Sequence, residues 1–96
     1  MSTQKTEILA VSQLFKVLSD PTRLRILLYL KQGERNVSSI SENLAMEQSA
    51  VSHQLKLLRD NRLVKARRDG KAMLYSLDDH HVLDILDQTF RHVSHH

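Results

Sequence analysis

The chain leaves its helical hydrophobic period in a single stretch. For about sixty residues apolar side chains recur at helical spacing; then Leu63 to Leu77 switches to a short alternating pattern centred on Arg68-Asp69-Gly70-Lys71. Asp-Gly between two apolar runs is the strongest short hairpin signal. It predicts strands over Leu63–Arg67 and Ala72–Leu77. One hairpin inserted late in a helical chain restricts the fold to a mainly α (α+β) domain. The hairpin is also basic, through Lys65, Arg67, Arg68 and Lys71.

The remaining elements follow from periodicity and punctuation. Ile8, Val11, Phe15 and Leu18 mark one face of a helix over Lys5–Ser19. Asp20 suits an N-cap and Pro21 a first helical position, so a second helix runs to about Lys31 and ends at Gly33. It is apolar nearly all round and should be central. A short helix spans Val37 to about Leu44, with Ser39 and Glu42 matching a capping box, or with Ser38 as the cap. Gln48 to about Asn61 is the fourth helix, with Val51, Leu55 and Leu58 inward. Asp78-Asp79 opens a last helix reaching about Val93. The expected order is α-α-α-α-β-β-α, and 1–96 is one domain.

Composition narrows this further. Ninety-six residues bury only roughly 60–65% of the surface their unfolded chain exposes, which makes dimerisation a natural remedy for a marginal monomer. Aromatics are 4% and Trp is absent, so the core must be Leu, Ile and Val. No cysteine is present, which excludes disulfides, thiolate metal sites and a cysteine nucleophile. Met1–Ala10 lacks a secretory h-region and the longest apolar run, Ile26–Leu30, is too short to span a bilayer. A cytoplasmic protein with no membrane partner is expected. No Gly-rich loop or positioned nucleophile suggests an enzyme or a small organic substrate.

Two short helices joined by a tight turn and followed by a basic hairpin describe a winged helix-turn-helix. In that arrangement the second helix enters the major groove of double-stranded DNA. Gln48, Ser49, Ser52 and His53 would then face base edges. Lys56, Lys65, Arg67, Arg68 and Lys71 would contact phosphate or the minor groove. The plainer alternative is a solvated helix face with a solubilising turn. The Ser/His/Gln character of the face, followed at once by the basic hairpin, favours DNA; the net charge of +3 alone would not.

Five of the six histidines fall in the last 17 residues: His80, His81, His92, His95 and His96. His81 and His92 share a helix face but stand roughly 16 Å apart along its axis. Zinc–nitrogen bonds are about 2.0–2.1 Å, so a single helix cannot bring both to one ion. Two antiparallel copies can, placing His81 of one chain beside the partner's His92 and His95, twice per dimer. Geometry leaves the fourth donor open between Asp84, on the histidine side, and Asp79, which converges only from a non-helical start.

Leu18-Ser19-Asp20-Pro21-Thr22-Arg23-Leu24-Arg25-Ile26-Leu27 resembles the opening of ArsR/SmtB-type repressors. Ser49-Ala50-Val51-Ser52-His53-Gln54-Leu55-Lys56-Leu57-Leu58 resembles their recognition helix. Leu63-Val64, Gly70-Lys71 and Tyr75-Ser76-Leu77 resemble their wing. The resemblance covers about residues 8–95. It implies a homodimer built through the first and last helices that represses transcription. It also implies a zinc site of Asp-x-His plus His-x-x-His type, matched by Asp79-His80-His81 and His92-Val93-Ser94-His95. The ligands carried over are Asp79, His81, His92 and His95, with His80 and His96 as spare donors. One oxygen and three imidazoles suit Zn²⁺, with Co²⁺ as a surrogate, whereas Ni²⁺ would want more ligands. The segment Asn36 to Ser41 at the third helix, where many members carry a cysteine-bearing site, has no thiol for arsenic, antimony or lead. The implied function is a repressor whose apo dimer holds an inverted-repeat operator and loses it on binding zinc, derepressing metal efflux or homeostasis genes. The alternative is a winged-helix regulator without a metal effector.

Overall fold

The computed structural model describes residues 2–94, and side chains from Gln4 onward. Helices α1 (Ser2–Leu18) and α2 (Pro21–Leu30) lead into a short strand β1 (Arg35–Asn36). Helices α3 (Val37–Leu44) and α4 (Gln48–Asp60) follow, then β2 (Val64–Asp69), β3 (Ala72–Leu77) and α5 (His80–Ser94). The order is therefore α-α-β-α-α-β-β-α; the extra element is β1, which sequence did not suggest because two residues carry no period. All three strands are antiparallel in the order β1-β3-β2.

The predicted stop and start between α1 and α2 is built as expected. Asp20 accepts a hydrogen bond from the Arg23 backbone N–H at 3.0 Å, and Pro21 occupies the first turn. The cap of α3 differs from expectation. Asn36, not Ser38 or Ser39, accepts from the Ser39 N–H at 2.8 Å. Pairing of Asn36 with Leu74 in the sheet already holds its backbone extended, as an N-cap requires. The hairpin turn is shifted by one residue. Asp69 pairs with Ala72, leaving Gly70-Lys71 as the loop. Of these two loop residues only Gly70 has positive φ (65°), the pattern of a type II′ turn with glycine first, so Asp69 ends β2 instead of entering the turn.

The core sits where α2, α3, α4 and the hairpin base meet. Its buried hydrophobic residues are all Val, Ile or Leu, with Ile26, Leu27, Ile40, Val51, Leu55 and Leu58 fully inaccessible. The low aromatic content is thus matched by an aliphatic interior. The stripe of α1 behaves otherwise: Ile8 is 59% and Phe15 61% exposed. Among the described residues no helix is long and apolar enough to cross a membrane.

Candidate functional site

α3 and α4 form a helix-turn-helix. The turn closes with Ala45 in the left-handed region (φ 55°) and a hydrogen bond from the Met46 N–H to the Ser41 carbonyl at 3.0 Å. Val51, Leu55 and Leu58 pin α4 to the core. The opposite face presents Gln48, Ser49, Ser52, His53 and Lys56, all exposed. Two of these have partners. Gln48 Nε2 donates to Ser38 Oγ at 3.0 Å, tying the start of α4 to α3, and Lys56 Nζ lies 3.0 Å from Asp60. The Gln48 amide keeps one N–H and its oxygen for another contact.

Arg23 was not among the sequence candidates, yet it links three helices. Its Nε donates to the Val17 carbonyl at 2.6 Å, Nη2 to the Lys16 carbonyl at 3.4 Å and Nη1 to Gln54 Oε1 at 3.3 Å. It thus satisfies orphan carbonyls at the end of α1 while fixing the flank of α4. Partners 31 residues apart leave no local signal.

The register of the hairpin sorts its four cations. Arg67 stands opposite Leu74 and Lys65 opposite Ser76, whereas Arg68 stands opposite Met73. Side chains alternate along a strand, so Lys65, Arg67 and Asp69 share one face and Arg68 lies on the other, with Val64. Lys71 is in the turn. Arg67 forms a two-pronged ion pair: Nε donates to Glu34 Oε2 and Nη2 to Oε1, both at 2.8 Å. These bonds hold the Glu34 carboxyl below its ordinary range, against partial desolvation, with the Arg67 and Lys65 charges adding to the effect. Glu34 lies just before β1, where sequence showed nothing. Among the described residues neither Arg68 nor Lys71 forms an ion pair.

Asp79 opens α5 as expected, from the non-helical position just before His80. Its Oδ1 accepts from the His81 N–H at 2.8 Å and the Val82 N–H at 3.4 Å. Capping turns the carboxylate back over the first turn, so that Oδ1 lies 3.3 Å from His81 Nδ1. The non-helical start needed for Asp79 and His81 to converge is therefore present. Desolvation works against ionisation of Asp79, but the His81 side chain and the two backbone donors outweigh it, and its carboxyl lies below the usual range. Both side chains are exposed, at 56% and 88%.

His92 is exposed in the last turn of α5, and His95 lies outside the described residues. Among the described residues no three His, Asp or Glu side chains of one protomer gather closely enough to hold an ion. The donors that do converge, a carboxylate and an imidazole, are of the types that would supply two of the four ligands of a tetrahedral zinc site, so their chemistry fits such an ion but needs further ligands. Farther along α5, from Ile85 onward, the surface shared with α1 is apolar: a groove lined by Phe15, Leu18, Leu24, Ile85, Phe90 and Val93 opens to solvent.

Comparison with known proteins agrees with this architecture. The profile of the family described as "Bacterial regulatory protein, arsR family" matches residues 20–66, which span α2 to the start of β2. The HTH-type transcriptional regulator NmtR of Mycobacterium tuberculosis is 44% identical over 85 residues, covering 88% of this chain and 71% of NmtR. A cadmium resistance transcriptional regulatory protein, a CadC homolog of Staphylococcus aureus, is 37% identical, covering 85% of this chain and 69% of that protein. A homodimeric winged helix-turn-helix DNA-binding domain from Mycobacterium bovis, solved in solution as a possible ArsR-family regulator, superposes with a TM-score of 0.93. That match has 29% identity and covers 97% of this chain and 86% of the other. With fold, helix-turn-helix and relatives in accord, the chain belongs to the ArsR family of bacterial transcriptional regulators.

Proposed function

We propose that this chain is a homodimeric repressor that binds an inverted-repeat operator in its apo form and releases it when zinc occupies two sites between the protomers. Each site takes Asp79 and His81 from one protomer and His92 and His95 from the other. The observation that carries the reading is the convergence of Asp79 and His81 at the solvent-facing start of α5, half a ligand set; the uncovered apolar groove farther along α5 offers a surface for a second protomer. The homodimeric state of the M. bovis domain and the cadmium resistance role of the S. aureus relative support it.

In the apo dimer, two α4 helices offer Gln48, Ser49, Ser52 and His53 to successive major grooves, roughly 34–36 Å apart. Lys56, Lys65, Arg67, Arg68 and Lys71 supply the phosphate contacts. When bound, the ion supplies a four-coordinate crosslink between the last helices of the two chains. Dimer geometry reaches α4 through Arg23, which grips the end of α1 and Gln54 together. DNA and metal must weaken one another's binding by the same factor.

The test is a mobility-shift titration of a duplex bearing a selected inverted repeat with zinc, cobalt and nickel. Zinc and cobalt should release the duplex. His92→Ala should abolish the response while apo binding stays within about twofold of wild type, a change under about 0.4 kcal/mol. Release by zinc from the His92→Ala protein would reject the ligand set. Failure of any metal to release the wild type would leave a regulator without a metal effector.

A further inference from the structure

We propose that Glu34 is an internal stand-in for a DNA phosphate, occupying the Arg67 guanidinium in the free protein so that Arg67 reaches the DNA backbone only by leaving it. Glu34 then sets how tightly the wing grips DNA. The inference rests on the DNA-binding reading above and adds a residue to it that opposes binding.

Three observations carry it. The first is geometry. A guanidinium fork matches carboxylate and phosphate oxygens in the same bidentate way, and Arg67 is already engaged with Glu34 at 2.8 Å on both prongs. The second is charge. On the hairpin face that carries Arg67, Lys65 and Arg67 meet Glu34 and Asp69, two positive against two negative. Arg68 and Lys71, off that face, have no such opponent among the described residues. A wing read from sequence as four cations therefore presents a neutralised face and two unopposed charges.

The third is exposure. The Arg67 and Glu34 side chains are 58% and 36% exposed, so exchanging one anion for another buries no unpaired group and disturbs no core packing. Exposed pairs are weak in water, whereas a phosphate contact also gains from counterion release. Position sets the pair close to the helix-turn-helix. Glu34 precedes the α3 N-cap Asn36 by two residues, and β2 follows α4 directly. The pair bridges the wing and the helix-turn-helix at their junction. Arg67 and Lys65 hold the Glu34 carboxyl below the ordinary range, which keeps it a charged competitor wherever DNA binding is measured near neutrality.

A double-mutant cycle tests this on the same inverted-repeat duplex, with affinity followed against salt for wild type, Glu34→Gln, Arg67→Gln and the double variant. Thermal melts confirm that each is folded. Glu34→Gln should tighten binding roughly two- to fivefold per wing, the worth of one exposed pair. That gain should vanish in the Arg67→Gln background. Adding Arg67→Gln to Glu34→Gln should flatten the slope of log K against log salt by about 0.9 per wing. An equal gain with and without Arg67 would show Glu34 acting only as bulk negative charge and would overturn the proposal. Weaker binding by Glu34→Gln, or a slope indifferent to Arg67, would overturn it as well. A wild-type chain that binds while the cycle is flat sinks only the role of Glu34; one that holds no duplex sinks the function proposed above and this inference with it.

Discussion

α1 and α4 carry the same kind of apolar stripe and meet opposite fates. Val51, Leu55 and Leu58 of α4 are inaccessible, while Ile8, Val11 and Phe15 of α1 are 50–61% exposed. Periodicity fixes which side chains share a face; it does not say what covers that face. α5 shows both outcomes in one helix. Val82 and Leu86, in its first half, are buried, but Phe90 is 38% and Val93 67% exposed. Exposure rises along α5 toward the surface it shares with α1. A contiguous exposed apolar patch of this kind is uncommon on a monomer and is the signature of an interaction surface.

The sharpest way to break the contrast is to cut each stripe in turn. Leu55→Ala removes a fully buried side chain from the point where α4 meets the core. It should cost about 2–5 kcal/mol in urea unfolding, since both transfer and cavity terms apply. The loss should be the same at every protein concentration. Phe15→Asp places a charge in the uncovered groove and should leave helicity intact. Its effect is on assembly: the wild-type melting temperature should rise with concentration, and the variant's should not. Sedimentation would show the variant as a monomer. Should Phe15→Asp unfold the chain as Leu55→Ala does, the α1 face would belong to the monomer's own core and the contrast would disappear.

The same contrast explains what was legible in the sequence. Helices with caps and strong periods were readable to within a few residues, because Asp20, Pro21 and the stripes act locally. The aliphatic core followed from a composition with few alternatives. What escaped depends on pairing across the chain. β1 exists only because Arg35 and Asn36 find Tyr75 and Leu74, and Asn36 then takes the capping role from Ser38 and Ser39. Glu34 and Arg67 are 33 residues apart. Their meeting needs the sheet order β1-β3-β2, which no spacing rule supplies. The turn slipped by one residue because Gly70 satisfies either hairpin type, and strand pairing decides between them. For the metal set, sequence supplied the residue types and their helical separation. Only the structure shows Asp79 curling back as a cap to within 3.3 Å of His81.

The smallest expected effect lies at that cap, and it separates the ordered start of α5 from its exposed end. The Asp79 carboxyl is held below its ordinary range, so ionised Asp79 stabilises the folded state. That contribution is complete above the ordinary carboxylate pKa of about 3.9 and is lost as pH falls through the lower folded value. The loss should be local. On acidification below about pH 4, the His81 and Val82 amides should lose hydrogen-exchange protection first, because their acceptor Oδ1 becomes protonated. The Glu34 carboxyl is lowered as well, through its bonds to Arg67, but it touches the wing, so amide-resolved readout distinguishes the two. Asp79→Asn keeps an oxygen acceptor for both N–H groups while removing the titrating charge. In that variant the two amides should stay protected to lower pH while metal affinity falls. Acid loss at His81 and Val82 that persists unchanged in Asp79→Asn would place its cause elsewhere in α5 and separate the cap from the proposed metal ligand.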